Sequence, residues 1–317
     1  MTSDHIAILS KEFSLRPEVV RAVIELLDAG NTIPFIARYR KEATGSLDEV
    51  QIAAIRDTLL KLKEVDARRE AIVESIDKQG NLTDELRQQL EKATSLQELE
   101  DLYLPFKPRR RTRATMAREK GLEPLADRLV RQADMPVADL AREFVSDEKG
   151  VASADEALAG ARDIIAERVS ENIGTRNVVR NIFRRKAHLS SAVVKGKESE
   201  GHKFESWFDW SEPAMRAPSH RILALLRGEE EGVLRVHVLP SDSDEAYAAL
   251  DKHYVRNSTE AAEQVRMAVH DSYKRLVEPS IENEYRWVLK ERADREAIKV
   301  FAENLRSEER RVGKECR

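Results

Sequence analysis

From Ser46 to Gln79 the chain contains neither glycine nor proline. A stretch that long without a breaker, opened by Ser46 and Glu49 at capping-box spacing, predicts one continuous helix over about 47–79. Val50, Leu59, Leu62, Val65, Ile72 and Ile76 recur along it. At 1.5 Å per residue such a helix is roughly 50 Å long, which favours an extended molecule over a sphere.

The same logic reads helix through most of the remainder. Pro17 opens a segment in which Val19, Val20, Val23, Ile24, Leu26 and Leu27 are apolar, and Gly30 with Asn31 closes it, giving a helix at about 17–29. Thr83 and Ser95 start two more, the second with a Ser95–Glu98 box and an end before Pro105. Ser153 and Glu156 head another at about 154–172; Gly174 is then expected to stop it and Thr175 to cap the next, which runs to about Ala187. With only 12 Gly and 10 Pro, turn formers are scarce.

Between Leu189 and Trp210 the periodicity changes. Ser191–Lys195 and Lys203–Trp207 flank a Gly- and Lys-rich turn as two strands of a hairpin would, and Val233–Leu239 is a third candidate strand. Helices are expected again at about 243–255, 259–276 and 279–305. The fold class is therefore mainly α: an elongated multi-helix assembly with a long helix, a helix-turn-helix-like region and a small β element around 189–239. The expected domains are 1–125, helical with the long helix, and 126–306, a central helical region with the β insert. Residues 307–317 lack an amphipathic pattern and read as a non-native or truncated tail.

Apolar runs such as Ile222–Leu226 reach only five residues, far short of the ~20 that span a bilayer, so no membrane partner is expected. The first residues lack a basic start and an apolar core, and the single cysteine is Cys316. A cytoplasmic, disulfide-free chain is the expectation.

Charge is distributed unevenly. Lys107, Arg109, Arg110, Arg111, Arg113, Arg118 and Lys120 are seven cations against one acid, Glu119, over 107–120, a net +6. Residues 176–197 hold seven more cations and no acid, a net +7. Since the whole chain carries −4, everything else sums to −17. Local positive charge on an acidic molecule suits a polyanion, because each phosphate neutralised releases a counterion and arginine grips phosphate with a planar fork. Lys107, Arg109, Arg110, Arg111, Arg113, Arg184, Arg185 and Lys186 are the expected nucleic-acid contacts; the rival reading is a solvated surface paired with glutamates. Arg113–Val130 reads helix, Gly turn, helix, a pattern that many all-α proteins share without touching DNA. Arg38, Arg40 and Lys41 beside Tyr39, and His220 with Arg221, form a secondary set. For these a packed turn anchored by buried arginine outweighs phosphate contact.

No catalytic residues are expected. The chain has no phosphate loop, no Gly-x-Gly-x-x-Gly and no Gly-x-Ser-x-Gly element, and neither His253 near Asp251 nor Ser219–His220 makes a triad. The seven histidines show no pair at metal-ligating helical spacing, so neither a metal nor a cofactor is expected.

Three stretches, Asn31–Gly45 (NTIPFIARYRKEATG), Leu99–Ala114 (LEDLYLPFKPRRRTRA) and Ser219–Glu229 (SHRILALLRGE), resemble the bacterial Tex family of transcription accessory proteins over about residues 1–306. The resemblance implies a mainly helical N-terminal half with a helix-turn-helix-like region, related to a eukaryotic transcription elongation factor that also handles histones. It further implies that the family's RNase H-like, helix-hairpin-helix and OB-fold RNA-binding domains are missing here, the departure beginning at Ser307. The expected function is thus a non-enzymatic transcription accessory protein that binds nucleic acid, RNA ahead of DNA, with transcription or ribosomal proteins as further partners. The alternative is a helical interaction scaffold for transcription or translation machinery with no nucleic-acid binding of its own.

Overall fold

The structure, a computed structural model, describes residues 2–107 and 111–315. It is mainly helical with one small antiparallel sheet, and its Cα packing separates two compact units, Met1–Pro108 and Arg109–Arg317.

The first unit contains α1 (Thr2–Phe13), α2 (Pro17–Asp28), α3 (Ile33–Tyr39), α4 (Lys41–Thr44), α5 (Glu49–Lys78), α6 (Asp84–Lys92) and α7 (Leu96–Tyr103). The breaker-free stretch is α5, and it serves two cores in turn. Its first half buries Ile52, Ile55 and Leu59 against Leu9, Val20, Val23, Ile24 and Ile36. Its second half buries Val65, Ile72 and Ile76 against Leu90, Leu99 and Tyr103. Val50, counted in the apolar series, is exposed. The cap of α5 is not Ser46, which lies at φ +65° after Gly45, also at +65°. Asp48 takes the role instead: its Oδ1 accepts from Gln51 N at 2.8 Å, and Gln51 Oε1 accepts from Asp48 N at 3.2 Å.

The second unit contains α8 (Arg113–Glu119), α9 (Glu123–Val130), α10 (Val137–Arg142), α11 (Ala154–Glu171), α12 (Ile173–Lys186), β1 (Ala187–Val193), β2 (Asp209–Pro213), α13 (Ser219–Glu230), β3 (Leu234–Pro240), α14 (Asp244–Tyr254), α15 (Glu260–Ser272) and α16 (Glu278–Glu315). Packing thus divides the chain at Pro108, ahead of the 125/126 boundary read from sequence, because α8 and α9 close against α11. Strand order is β2-β1-β3, with Ser191 opposite both Trp210 and Val236. Leu234, Val236 and Val238 face the core while Arg235 and His237 face out, the period-2 pattern of a half-buried strand.

Three sequence expectations are corrected here. Lys203–Trp207 lies in a 3-10 helix (His202–Trp207), and pairing with β1 starts only at Asp209. The apolar residues Phe204, Trp207 and Phe208 are spaced for a helical turn, not for alternation, and Gly201 provides the close approach, since a Cβ there would lie 2.2 Å from Val233 Cγ1. Gly174 does not end a helix. Asn172 caps α12, its Oδ1 accepting from Thr175 N at 3.0 Å, which leaves Gly174 inside the first turn and Thr175 buried, 2.6 Å from the Tyr254 hydroxyl. Finally, α15 and α16 are joined by a π-helical segment, Tyr273–Val277, and α16 extends beyond residue 305. The i→i+5 turn, closed by Glu278 N on Tyr273 O, displaces the backbone ahead of Pro279, which has no N–H for the α ladder.

The hairpin of α8 and α9 is fixed to α11 by a buried carboxylate. Glu167 accepts from the Thr112 hydroxyl at 2.9 Å and from Arg118 Nη1 at 2.6 Å, and Thr112 in turn caps α8 through Thr115 N. Glu167→Ala removes an acceptor from both donors, and because Arg118 keeps Glu123 at 3.6 Å and access to water the expected loss is about 2 kcal/mol of unfolding free energy. Urea denaturation checks it; an unchanged midpoint would show that the carboxylate does not hold the hairpin.

Candidate nucleic-acid interface

The first cation-rich segment holds a single acid, Glu119, and the second holds none, yet the fold brings further acids to both. In the first segment Lys107 Nζ stands 4.0 Å from Glu100, Arg111 donates to Glu119, Arg118 meets Glu167, and Lys120 Nζ reaches Glu156 at 2.6 Å. The hydrogen bond from Lys120 is the main reason the Glu156 carboxyl is held below its usual range. Arg113 is exposed and forms no close salt bridge among the described residues, although its charge acts on the Asp163 carboxyl. Arg109 and Arg110 lie outside the described residues. Lys107 belongs to the first unit, Arg111 and Arg113 to the second.

In the second segment Arg176 and Arg180 are turned inward and share Glu284, with Arg180 Nε to Glu284 Oε2 at 2.7 Å. Arg184, Arg185 and Lys186 form the last turn of α12, where the helix dipole favours cations. Arg184 is exposed and donates to Asn181, a neutral acceptor. Arg185 Nη2 and Lys186 Nζ converge on one carboxylate, Glu245, at 2.7 and 2.6 Å. Hydrogen bonding to Lys186, then to Arg185, holds the Glu245 carboxyl below its usual 4.5, and the same contact raises Lys186 above 10.5.

The secondary residues sit differently from the sequence reading. Arg38, Arg40 and Lys41 are all exposed, so no buried arginine anchors that turn. Arg40 lies over the Phe35 ring at 5.2 Å, and Phe35 in turn contacts the exposed Tyr39, centroids 5.4 Å apart. His220 is exposed, whereas Arg221 pairs with Glu212 at 2.8 Å.

Two residues that sequence reasoning did not select join Arg185 and Lys186. His188, which follows Lys186 into β1, and Arg216, in the turn after β2, line the same pocket of about 440 Å³ with Pro213, Met215 and Ser241. Nothing in the sequence pairs position 216 with 185–188; only the register that sets His188 opposite Pro213 does so. Among the described residues, no group of three or more His, Cys, Asp or Glu is placed to hold a metal ion, and no helix is long and apolar enough to cross a membrane.

The ion pair at the end of α12 sets a pH expectation. A carboxylate with a lowered midpoint contributes fully above 4.5 and loses its contribution as pH falls through that midpoint; Lys186 contributes fully below 10.5 and loses it as pH rises through its raised midpoint. In a carbon-detected NMR titration the Glu245 carboxyl should therefore titrate below 4.5, and in Lys186→Met its midpoint should climb toward that value. An identical midpoint in both proteins would mean the pair does not form in solution.

Comparison with known proteins finds two family matches along the chain. Residues 3–77 match the Tex-like protein N-terminal domain and residues 132–301 the Tex central region-like family. The chain is 41% identical over 305 residues to the transcriptional accessory protein Tex of Neisseria gonorrhoeae, covering 94% of this chain and 40% of that protein. Identity to protein YhgF of Escherichia coli is 43% over 314 residues, covering 96% and 41%. The human S1 RNA-binding domain-containing protein 1 is 29% identical over 322 residues, covering 96% and 32%. The chain thus spans about two fifths of the length of its bacterial relatives. With both family matches falling on the two units described above, the chain belongs to the Tex family.

Proposed function

We propose that this chain is a non-enzymatic, nucleic-acid-binding part of a cytoplasmic transcription accessory protein, with RNA as its preferred ligand. Lys107, Arg109, Arg110, Arg111, Arg113, Arg184, Arg185 and Lys186 contact phosphates, and Arg38, Arg40 and Lys41 beside Tyr39 add a second surface. The observation that supports this reading is the set of exposed cations that form no close salt bridge among the described residues, Arg113, Arg184, Arg38, Arg40 and Lys41. Phosphate contacts of this kind position a strand without reading its sequence, so binding is sequence-tolerant. The names of the relatives, transcriptional accessory protein and S1 RNA-binding domain-containing protein, support the same direction.

A specific observation favours the second reading, a protein-interaction scaffold. Trp287, Ile298 and Phe301 are exposed, and their spacing places them on one face of α16. Fluorescence anisotropy with single-stranded RNA over a salt series separates the two. Changing Arg109, Arg110, Arg111 and Arg113 together to Gln should reduce the salt slope by up to about 3, at ~0.7 per phosphate contact on a single strand. Absence of binding by the unmodified chain at low salt would discard the nucleic-acid reading and leave the scaffold.

A further inference from the structure

We propose that the pocket lined by Arg185, Lys186, His188 and Arg216 is a seat for the phosphate group of a nucleotide, supplied by a nucleic-acid strand or by a free nucleotide. The proposal deepens the nucleic-acid reading, because Arg185 and Lys186 belong to both.

The first observation is convergence. Arg185 and Lys186 end α12, His188 is the second residue of β1, and Arg216 ends the 3-10 turn Ala214–Arg216, so separate elements place four nitrogen-bearing side chains around one depression. Arg216 is exposed and has no acidic partner among the described residues. His188 uses one ring nitrogen, Nδ1, 3.4 Å from the Ser211 hydroxyl; its Nε2 makes no hydrogen bond to a described residue. An arginine fork beside a second arginine, a lysine and an imidazole is the donor set that phosphate oxygens take.

The second observation is that the framework is rigid. His188 pairs with both Pro213 and Leu239 across the sheet. The turn bearing Arg216 is tied to α16 by Arg292, which donates to Met215 O at 2.9 Å and to Ala217 O at 2.8 Å. With the backbone of these elements fixed in advance, binding has only side chains to order. Third, the size suits more than an ion. About 440 Å³ falls in the range of small-molecule sites, and Pro213 and Met215 provide an apolar wall for a sugar or base.

Glu245 is the built-in competitor. It holds Arg185 and Lys186, and Asp242 adds negative charge near Lys186. An arriving phosphate must share these two cations with Glu245, whereas it has Arg216 to itself. Removing Glu245 should therefore strengthen binding and removing Arg216 should weaken it.

The test uses the full chain at physiological salt, titrated with inorganic phosphate and adenosine monophosphate by calorimetry and with single-stranded RNA by anisotropy. Arg216→Gln should weaken adenosine monophosphate by about tenfold, the effect of one charge-assisted hydrogen bond. Glu245→Gln should tighten it several-fold, and Lys195→Gln, an exposed cation outside the pocket, should change nothing. Thermal unfolding of each variant separates lost binding from lost fold. If the nucleotide binds and RNA does not, the pocket stands with a free nucleotide as ligand and the nucleic-acid reading fails. If RNA binds but neither phosphate nor nucleotide does, and Arg216→Gln leaves RNA affinity intact, the pocket is refuted while the nucleic-acid reading stands. Equal weakening by Arg216→Gln and Lys195→Gln refutes it too, since that is the response of a diffuse charged surface.

Discussion

The second unit depends on how closely its helices approach α11. Ala157, Gly160, Ala161 and Ala166 give that helix a nearly bare surface, and α8, α9, α10, α12 and α15 all pack on it. At Gly160 a Cβ would stand 2.4 Å from Leu122 Cδ1 and 3.3 Å from the Ala117 Cβ, so the α8–α9 hairpin lies where only a hydrogen allows it. Close packing of this kind fixes direction as well as distance. With Leu122 seated on Gly160 and Thr112 hydrogen-bonded to Glu167, the start of α8 has one orientation, and Arg111 and Arg113 follow from it. The placement of Arg111 and Arg113 is thus a consequence of small residues in a helix whose own basic residues are only Arg162 and Arg168.

Charge neutralisation follows from the same packing. Glu167 and Glu284 lie on helices that fold back over basic segments, so Arg118, Arg176 and Arg180 are structural cations. Each is at least partly withdrawn from water, where an unpaired charge is costly and a paired, hydrogen-bonded one is tolerated. Cations at helix ends and strand turns escape that requirement, because water solvates them at little cost. This division explains why the unpaired arginines, Arg113 and Arg184, occur at the first residue of α8 and in the last turn of α12.

How much of this was legible depends on the range of each interaction. Caps act over three residues, and Thr83, Ser95 and Ser153 are legible because each accepts from the backbone N–H three residues on, the spacing the sequence displays. Where two capping residues competed, Ser46 with Asp48 and Asn172 with Thr175, the sequence held both and only the backbone path selected one. The helical character of 202–207 was written in the spacing of Phe204, Trp207 and Phe208 but was outweighed by a nearby turn signal. Ion pairs had no such local trace. Arg118 with Glu167, Arg185 with Glu245 and Arg176 with Glu284 join residues far apart in sequence, so clusters that look acid-poor in one dimension are largely paired in three. The same distance hid Arg216 from Arg185.

On the proposed reading, a surface built mainly of pre-paired cations would also bind differently from a free basic stripe. A phosphate that meets Lys120 or Lys186 replaces a carboxylate already at 2.6 Å, and it displaces no condensed counterion from that side chain. Counterion release arises on the nucleic acid, once per phosphate neutralised, but the net gain per contact is reduced by the carboxylate left behind. The salt dependence of binding therefore counts unpaired cations more faithfully than it counts basic residues. On the proposed nucleic-acid reading, the cations that matter most for affinity are those the fold leaves without acids, and removing an acid such as Glu245 would change binding as removing a base would.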